Sequence, residues 1–174
     1  MASRHTLLNA ILASALCACI DIASAAVTFI GEGSVLGTAT DQSGLPGLLE
    51  DGVTPGNLVG GFGSAITYSG KDNLYVATPD RGPADGATTY IDRLYTIRIA
   101  LKKIGANQYE VKPSVISTRL MRLDGHDYFT GFSAAFDETG STESLRFDPE
   151  GVRVSRCGKT AFVSDEYGPY LYEF

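Results

Sequence analysis

The sequence is short of the residues on which many catalytic and structural sites depend. Its 174 residues include two histidines and three cysteines, of which only His126 and Cys157 lie after residue 25. A metal site built from two or three imidazoles is therefore excluded after that point. Cys157 has no second cysteine there with which to form an internal disulfide. Nothing near Cys157 indicates an activated thiolate, so we expect an inert thiol in a turn.

Positive charge is also scarce. Fourteen Lys and Arg face twenty Asp and Glu, which gives a formal net charge of −6. Nucleic acid is excluded as a partner, because neutralising phosphates requires clustered basic residues. The acidic balance favours a cation binder, although charge alone does not separate cation binding from simple solubility.

Two common catalytic loops are absent. A serine hydrolase usually carries G-x-S-x-G on a strand-to-helix turn, and Gly61–Ala65 (GFGSA) has the wrong order. Gly31–Gly37 (GEGSVLG) has the wrong glycine spacing for a dinucleotide-binding loop. Ser64 is therefore not expected to act as a nucleophile.

The first 25 residues have the pattern of an export signal. Arg4 is followed by an apolar run over 7–20 and by the small residues Ala23-Ser24-Ala25. The run is shorter than the roughly 20 residues that a membrane-spanning helix needs. We therefore predict a signal peptide at 1–25, a mature domain at 26–174 with no transmembrane segment, and a secreted or periplasmic location. The second interpretation is a lipoprotein whose lipid anchor is attached to Cys19.

After residue 26 the chain alternates with period 2, which is typical of half-buried strands. Tyr95, Ile97, Ile99 and Leu101 fall on one face of such a segment. Further strands are predicted around 109–115, 152–154 and 161–164, with turns supplied by many of the 20 glycines. Residues 44–61 and 124–145 are interpreted as loops, the second with a short helix around Ser133–Phe136. The predicted fold class is all-β.

One segment recurs along the chain. Gly63–Pro83 and Glu150–Pro169 both contain a strand, a polar turn, a second strand, acidic residues and Gly-Pro. Recurring strand-turn-strand units indicate a β-propeller, in which four-stranded blades surround a channel. Acids just past the strand ends would then gather at one mouth of the channel.

Three motifs carry a family resemblance. DPEGVRVS (148–155), VSDEYGPYLYEF (163–174) and LYVATPDRGP (74–83) resemble the phytase-like domain, also called esterase-like phytase. The resemblance covers 33–174 and is strongest over the last thirty residues. One departure is Thr78-Pro79-Asp80, where a serine directly before the aspartate is more usual. The resemblance implies an exported, propeller-like protein linked to phosphoester hydrolysis.

The length suggests an incomplete propeller. Such folds typically need four or more blades of about 40 residues, whereas 26–174 supplies about three blades' worth of antiparallel strands. Residues 170–174 have the pattern of a strand in progress. The expectation is a domain truncated at its C-terminus, the N-terminal part of a longer protein.

The chemistry that the resemblance implies is carried by acids. Calcium takes six to eight oxygen ligands, and the predicted rim offers five carboxylates and one guanidinium. The predicted ligands of Ca²⁺ are Asp80, Asp148, Glu150, Asp165 and Glu166. The predicted catalytic residues are Glu150, Asp165, Glu166 and Arg81, with Arg81 binding the phosphate of a small-molecule ester. The function hypothesis is an exported, divalent-cation-dependent phosphoric ester hydrolase.

Other interpretations stay open. Asp and Glu beside Gly and Pro are ordinary turn formers, and without the resemblance turns would be favoured over a metal site. A bound calcium could tie loops together in a non-catalytic propeller that binds a ligand or partner at the cell envelope. A sugar-lactone hydrolase is a third, weaker alternative, because propellers host many functions.

Overall fold

The protein is built from β-strands and connecting loops. The computed structural model describes residues 26–124, 127–135 and 145–174, and seven strands lie in these ranges. The strands are β1 (Phe62–Tyr68), β2 (Leu74–Pro79), β3 (Arg93–Lys103), β4 (Tyr109–Leu120), β5 (Pro149–Val154), β6 (Ala161–Asp165) and β7 (Leu171–Glu173). The all-β prediction is confirmed.

The strands form two antiparallel sheets in chain order. The first sheet has the order β1-β2-β3-β4 and the second has the order β5-β6-β7. Each strand therefore pairs with the next one along the chain, as in a meander. The two segments recognised as a repeat form the hairpins β1–β2 and β5–β6.

Short polar turns connect β1 to β2, β3 to β4, β5 to β6 and β6 to β7. Between β1 and β2, Gly70 and Asp72 both have positive φ values, of 83° and 49°. Gly adopts this conformation at no steric cost, and Asp tolerates it better than most residues. The Ser69 amide donates to the Leu74 carbonyl at 3.1 Å and closes the turn. This turn sets the register that pairs Tyr68 with Tyr75.

The larger hydrophobic core lies between the sheets. Its buried members include Val152, Ala161 and Val163 from the second sheet, and Val76 of the first sheet packs against them. The connection between β4 and β5 adds Met121, Phe129 and Phe147. Phe129 and Phe147 contact each other and the rings of Tyr172 and Phe174, with ring centroids 4.9 to 6.2 Å apart. This aromatic packing joins the connection between β4 and β5 to the second sheet.

A second core covers the opposite face of the first sheet. Ala77, Tyr95 and Ile97 are buried there with Val59 of the N-terminal segment. The segment also supplies Asp41, whose carboxylate forms a fully buried ion pair with Arg93. Arg93 Nε donates to the Ile91 carbonyl at 2.8 Å, so its charge is held by several acceptors.

The loop predictions have mixed outcomes. Residues 44–61 contain no strand, only bridges such as Leu48 to Pro55. The prediction of a short helix around Ser133–Phe136 is wrong for the residues that the structure describes, because Ser133 and Ala134 form a turn. Phe136 lies outside the described residues. His126 and the predicted signal peptide at 1–25 also lie outside them. Within the described ranges, no helix is long and apolar enough to cross a membrane.

Candidate metal centre

The predicted acidic residues lie at one end of the two sheets. Asp80 directly follows β2, and Asp165 is the last residue of β6. Asp148 precedes β5, and Glu150 is its second residue. Because antiparallel pairing sets Pro149 opposite Asp165, the start of β5 meets the end of β6. β1 and β2 pack beside β5, which brings Asp80 to the same place.

Three of the acids come close enough to share one ion. The carboxylate oxygens of Asp80, Asp148 and Glu150 lie within 4.8 Å of one another. Asp148 is buried, Asp80 is half-buried and Glu150 is exposed. The trio therefore runs from the interior to the surface, as a site open to solvent on one side requires.

Asp148 is the most constrained of the three. Its side chain is 1% exposed, and no N–H or O–H group of the described residues donates a hydrogen bond to either carboxylate oxygen, which leaves the neighbouring carboxyl group of Asp80 as its hydrogen-bonding contact. Burial and a hydrogen bond with Asp80 raise the pKa of Asp148 to about 7. The pKa of Asp80 is lowered, because bonds from Arg81 and Asp148 outweigh its partial desolvation. Two carboxylates can form such a bond only by sharing a proton, so the pair holds one proton below neutral pH.

Asp165 and Glu166 occupy a different position. Asp165 Oδ1 accepts hydrogen bonds from the backbone amides of Asp148 at 2.9 Å and Tyr167 at 3.1 Å. The Glu166 amide donates to the Asp148 carbonyl at 2.9 Å. These bonds fasten the backbone of Asp148 to the end of β6. The Asp165 carboxylate therefore binds two backbone amides at this turn and is not one of the three carboxylates within 4.8 Å of one another, while its predicted roles as ligand and catalytic residue stay predictions.

Burial raises the pKa of Asp165, although the two backbone amides partly offset that effect. Desolvation also raises the pKa of Glu150, together with the charge of Glu166 and a hydrogen bond to it. Glu166 itself is 60% exposed at the rim. Glu150 and Glu166 thus form a pair of neighbouring carboxylates on the solvent side of the trio.

Arg81 lies among the acids. Its Nε is 3.1 Å from Asp148 Oδ2 and 3.4 Å from Asp80 Oδ1, and its Nη2 is 3.9 Å from Glu166 Oε2. Partial desolvation lowers the pKa of Arg81, but the charge of Asp148 and the bond to Asp80 outweigh it and the net shift is upward. Arg81 is therefore a permanent cation that compensates the carboxylates in part.

Two neighbours hold Arg81 in place. Its guanidinium carbon lies 5.4 Å from the centre of the Tyr167 ring, and the Tyr167 hydroxyl donates to the Gly131 carbonyl at 3.0 Å. Gly131 also packs directly on the Arg81 backbone, since a Cβ at Gly131 would lie 2.1 Å from the Arg81 carbonyl oxygen. Only glycine permits this close approach. The supporting role of Tyr167 was not recognised from the sequence, although the repeat alignment set Tyr167 over Arg81.

Sequence reasoning also missed Asp92. This residue is 0% exposed, and both of its carboxylate oxygens lack a hydrogen-bond partner. Burial raises the pKa of Asp92 well above its ordinary value. The positive charge of Arg93 opposes this shift, whereas the negative charges of Asp148, Asp165 and Asp80 increase it. The sequence signal that could have identified Asp92 is its position just before β3. The register that pairs Ala77 with Tyr95 brings the start of β3 beside the end of β2, where Asp80 lies.

The donor set fits a hard divalent cation. Every side-chain ligand in the trio is a carboxylate, and Ca²⁺ and Mg²⁺ prefer oxygen ligands. The unpartnered oxygens of Asp148 are the specific sign, because a buried carboxylate without a donor costs several kcal/mol unless a cation compensates it. Arg81 supplies part of that compensation through an ion pair that lacks hydrogen-bond alignment.

One comparison with known proteins identifies the family. A family model described as phytase-like, esterase-like activity of phytase, matches residues 57–174. This range covers about two thirds of the chain and includes all the acids described above. No curated protein and no solved structure matches the chain significantly. The chain belongs to the phytase-like family.

Proposed function

We propose that this phytase-like domain is a divalent-cation-dependent phosphoric ester hydrolase, with Ca²⁺ as the ion. The observation that carries the proposal is the buried carboxylate of Asp148, whose unpartnered oxygens lie with those of Asp80 and Glu150 in one 4.8 Å cluster beside Arg81. The substrate class is a small-molecule phosphate ester. The ion would draw electron density from a phosphate oxygen and neutralise the charge of the three carboxylates.

Substrate binding, proton transfer and positioning are assigned to different residues of the chain. Arg81 carries a planar guanidinium whose fork geometry matches two phosphate oxygens. Its position against Tyr167 limits its movement and so lowers the entropy cost of binding the substrate. Glu166 would accept a proton from an attacking water, and its exposure at the rim supports this role. Asp165 acts indirectly, since it holds the backbone of Asp148 in position.

We also propose that the two sheets are neighbouring blades of a β-propeller. Three features support this arrangement: each sheet is a meander, the sheets pack face to face, and their first strands β1 and β5 are neighbours. First strands line the channel of a propeller, and acids at their starts would lie at one mouth. The two sheets account for a four-stranded blade and three strands of the next.

Export remains part of the proposal. Residues 1–25 are proposed as a signal peptide, 26–174 as the phytase-like domain, and the location as secreted or periplasmic, with a lipid anchor at Cys19 as the less favoured alternative. Intact mass and N-terminal sequencing of the protein recovered outside the cytoplasm test this. A new N-terminus at Ala26 agrees with the proposal, whereas a retained leader or an acylated Cys19 contradicts it.

The enzymatic proposal is tested by release of phosphate from an aryl phosphate and from phytate. The purified protein should release phosphate with calcium, lose activity in excess chelator and recover when calcium is restored. Asp80→Asn and Glu150→Gln should each lower kcat/KM by at least about 100-fold. Glu110→Gln, at a partly exposed acid on β4, is the matched control and should leave activity unchanged.

The alternative of a non-catalytic, calcium-stabilised propeller gives a different result. Calcium would then raise the unfolding midpoint in an Asp80-dependent manner, while neither ester is hydrolysed at any calcium concentration. Activity that survives exhaustive chelation, or that is unchanged in Asp80→Asn, would sink the cation-dependent mechanism.

A further inference from the structure

The described residues contain five buried side-chain oxygens that have no hydrogen-bond partner. They belong to three residues: both oxygens of Asp92, both of Asp148 and the hydroxyl of Thr130. Asp148 differs from the other two, because its Oδ2 also lies 3.1 Å from Arg81 Nε in an ion pair and its carboxyl group contacts that of Asp80. A buried acceptor without a donor typically costs about 1 to 3 kcal/mol, and a charged one costs more. All five atoms are oxygens, the ligand type of hard cations, and they are not scattered over the fold.

Backbone hydrogen bonds set the three residues side by side. The Asp92 amide donates to the Phe129 carbonyl at 3.0 Å, directly before Thr130. The Phe147 amide donates to the Thr130 carbonyl at 2.9 Å, directly before Asp148. Thr130 therefore lies on a segment between the start of β3 and the start of β5. Asp92 and Asp148 flank it on either side.

Asp92 directly precedes β3 and lies close enough to Asp148, Asp165 and Asp80 for their charges to act on it. Its basic neighbour, Arg93, is bound by Asp41 and by the carbonyls of Gly56 and Ile91. Arg93 is stacked there on the Tyr90 ring, with its guanidinium carbon 3.9 Å from the ring centre. The nearest cation along the chain is therefore committed elsewhere.

We propose that Asp92, Thr130 and Asp148 form a second cation site beneath the Asp80–Asp148–Glu150 trio, with Asp148 bridging the two ions. The inference rests on the proposed function in one respect: Asp148 also belongs to the outer trio of Asp80, Asp148 and Glu150. The inner ion is a hard divalent cation such as Ca²⁺, whose remaining ligands are backbone carbonyls or water. Two ions bridged by one carboxylate typically lie about 3.5 to 4 Å apart. The inner ion holds Asp148 ionised and fixes its orientation for the outer site.

The number of bound ions tests the proposal directly. The protein is dialysed to equilibrium against calcium and the bound metal is measured against protein concentration. The wild type should bind two ions, and Asp92→Asn and Asp80→Asn should bind one each. Asn matches Asp in shape but removes the charge. Glu110→Gln should still bind two.

Manganese gives an independent readout on the wild type. With both sites loaded, electron paramagnetic resonance should show two spin-coupled Mn²⁺ ions, and Asp92→Asn should give the spectrum of an isolated ion. If Asp92→Asn fails to fold, Thr130→Val replaces it and should weaken one of the two calcium-binding steps by about tenfold.

The metal count and the phosphate assay distinguish failure of the inner site from failure of the proposed hydrolase. One ion in the wild type, or two in a folded Asp92→Asn variant, overturns the inner site and leaves the outer trio intact. Two ions with no phosphate release overturn the proposed hydrolase and leave the inner site standing. An isolated Mn²⁺ signal at full loading contradicts bridging by Asp148.

Discussion

Arg81 Nε lies 3.1 Å from Oδ2 of Asp148, a carboxylate that is only 1% exposed. The contact joins a permanent cation to the most buried acid of the candidate metal centre. Arg81→Gln should therefore destabilise the calcium-free protein by about 1 to 3 kcal/mol, because it leaves Asp148 with less compensation. Denaturant unfolding in chelator measures this loss.

The conservative change separates charge from shape. Arg81→Lys keeps the positive charge and should restore most of the stability, but it lacks the two-pronged geometry and should raise KM for an aryl phosphate. Arg98→Gln, at an exposed position on β3, is the control and should change neither quantity. Equal unfolding free energies for Arg81→Gln and the control would show that the ion pair contributes nothing.

Asp165 is predicted to be structural. Its Oδ1 accepts hydrogen bonds from the amides of Asp148 and Tyr167. Asp165→Ala should lower the free energy of unfolding by about 2 to 4 kcal/mol, since two amides lose their acceptor. Asp165→Asn retains an oxygen and should cost less than about 1 kcal/mol while leaving calcium affinity unchanged. Loss of calcium binding in a stable Asp165→Asn protein would instead make Asp165 a ligand.

The buried pair of Asp41 and Arg93 should matter more for folding than any surface pair. Both side chains are 0% exposed, so Asp41→Ala leaves a guanidinium buried without its counter-charge. The expected cost is about 3 to 5 kcal/mol in denaturant unfolding. Glu110→Gln removes an exposed pair with Lys112 and should change stability by less than about 1 kcal/mol. A loss in Asp41→Ala as small as in this control would show that the N-terminal segment does not depend on the pair.

The sequence was most informative where periodicity and turn chemistry agree. The alternation of Tyr95, Ile97 and Ile99 predicted β3, and these residues pack in or against the core on one face. The repeat predicted acidic residues just past equivalent strands, and Asp80 and Glu166 directly follow β2 and β6. Such inferences need only the hydrophobic alternation within a segment and the antiparallel pairing of strands that follow one another in the chain.

Differences among the acids were not accessible from local pattern. Asp148 and Asp165 are both acids beside the ends of paired strands, yet one is buried without a donor and the other accepts two amides. Which role an acid takes depends on contacts between segments far apart in sequence. Asp92 was overlooked for the same reason, because its importance arises from the approach of residues 129–130 and 147–148.

The stability of the calcium-free protein should fall as the pH rises, because the pKa of Asp148 is raised in the folded state. Burial and the bond to Asp80 raise the pKa of Asp148 from 3.8 to about 7 in the folded protein. A carboxyl group with a raised folded-state pKa stabilises the protein at low pH, and that contribution is lost as the pH rises through about 7. The calcium-free protein should therefore be more stable near pH 5 than near pH 8. Asp148 should contribute about 2 to 4 kcal/mol to this difference. The raised pKa values of Glu150, Asp165 and Asp92 act in the same direction, and the lowered pKa of Asp80 opposes them.

Calcium should reverse this dependence. The ion competes with the shared proton, so it should bind more tightly near pH 8 and release protons when it binds near pH 6. Thermal unfolding at both pH values, with chelator and with calcium, measures the first effect; calorimetry in buffers of different ionisation enthalpy measures the second. In Asp148→Asn the acid-side stabilisation and the proton release should both shrink. A calcium-free protein that gains stability from pH 5 to pH 8 would contradict the shared proton, since it would place the pKa of Asp148 below its ordinary value.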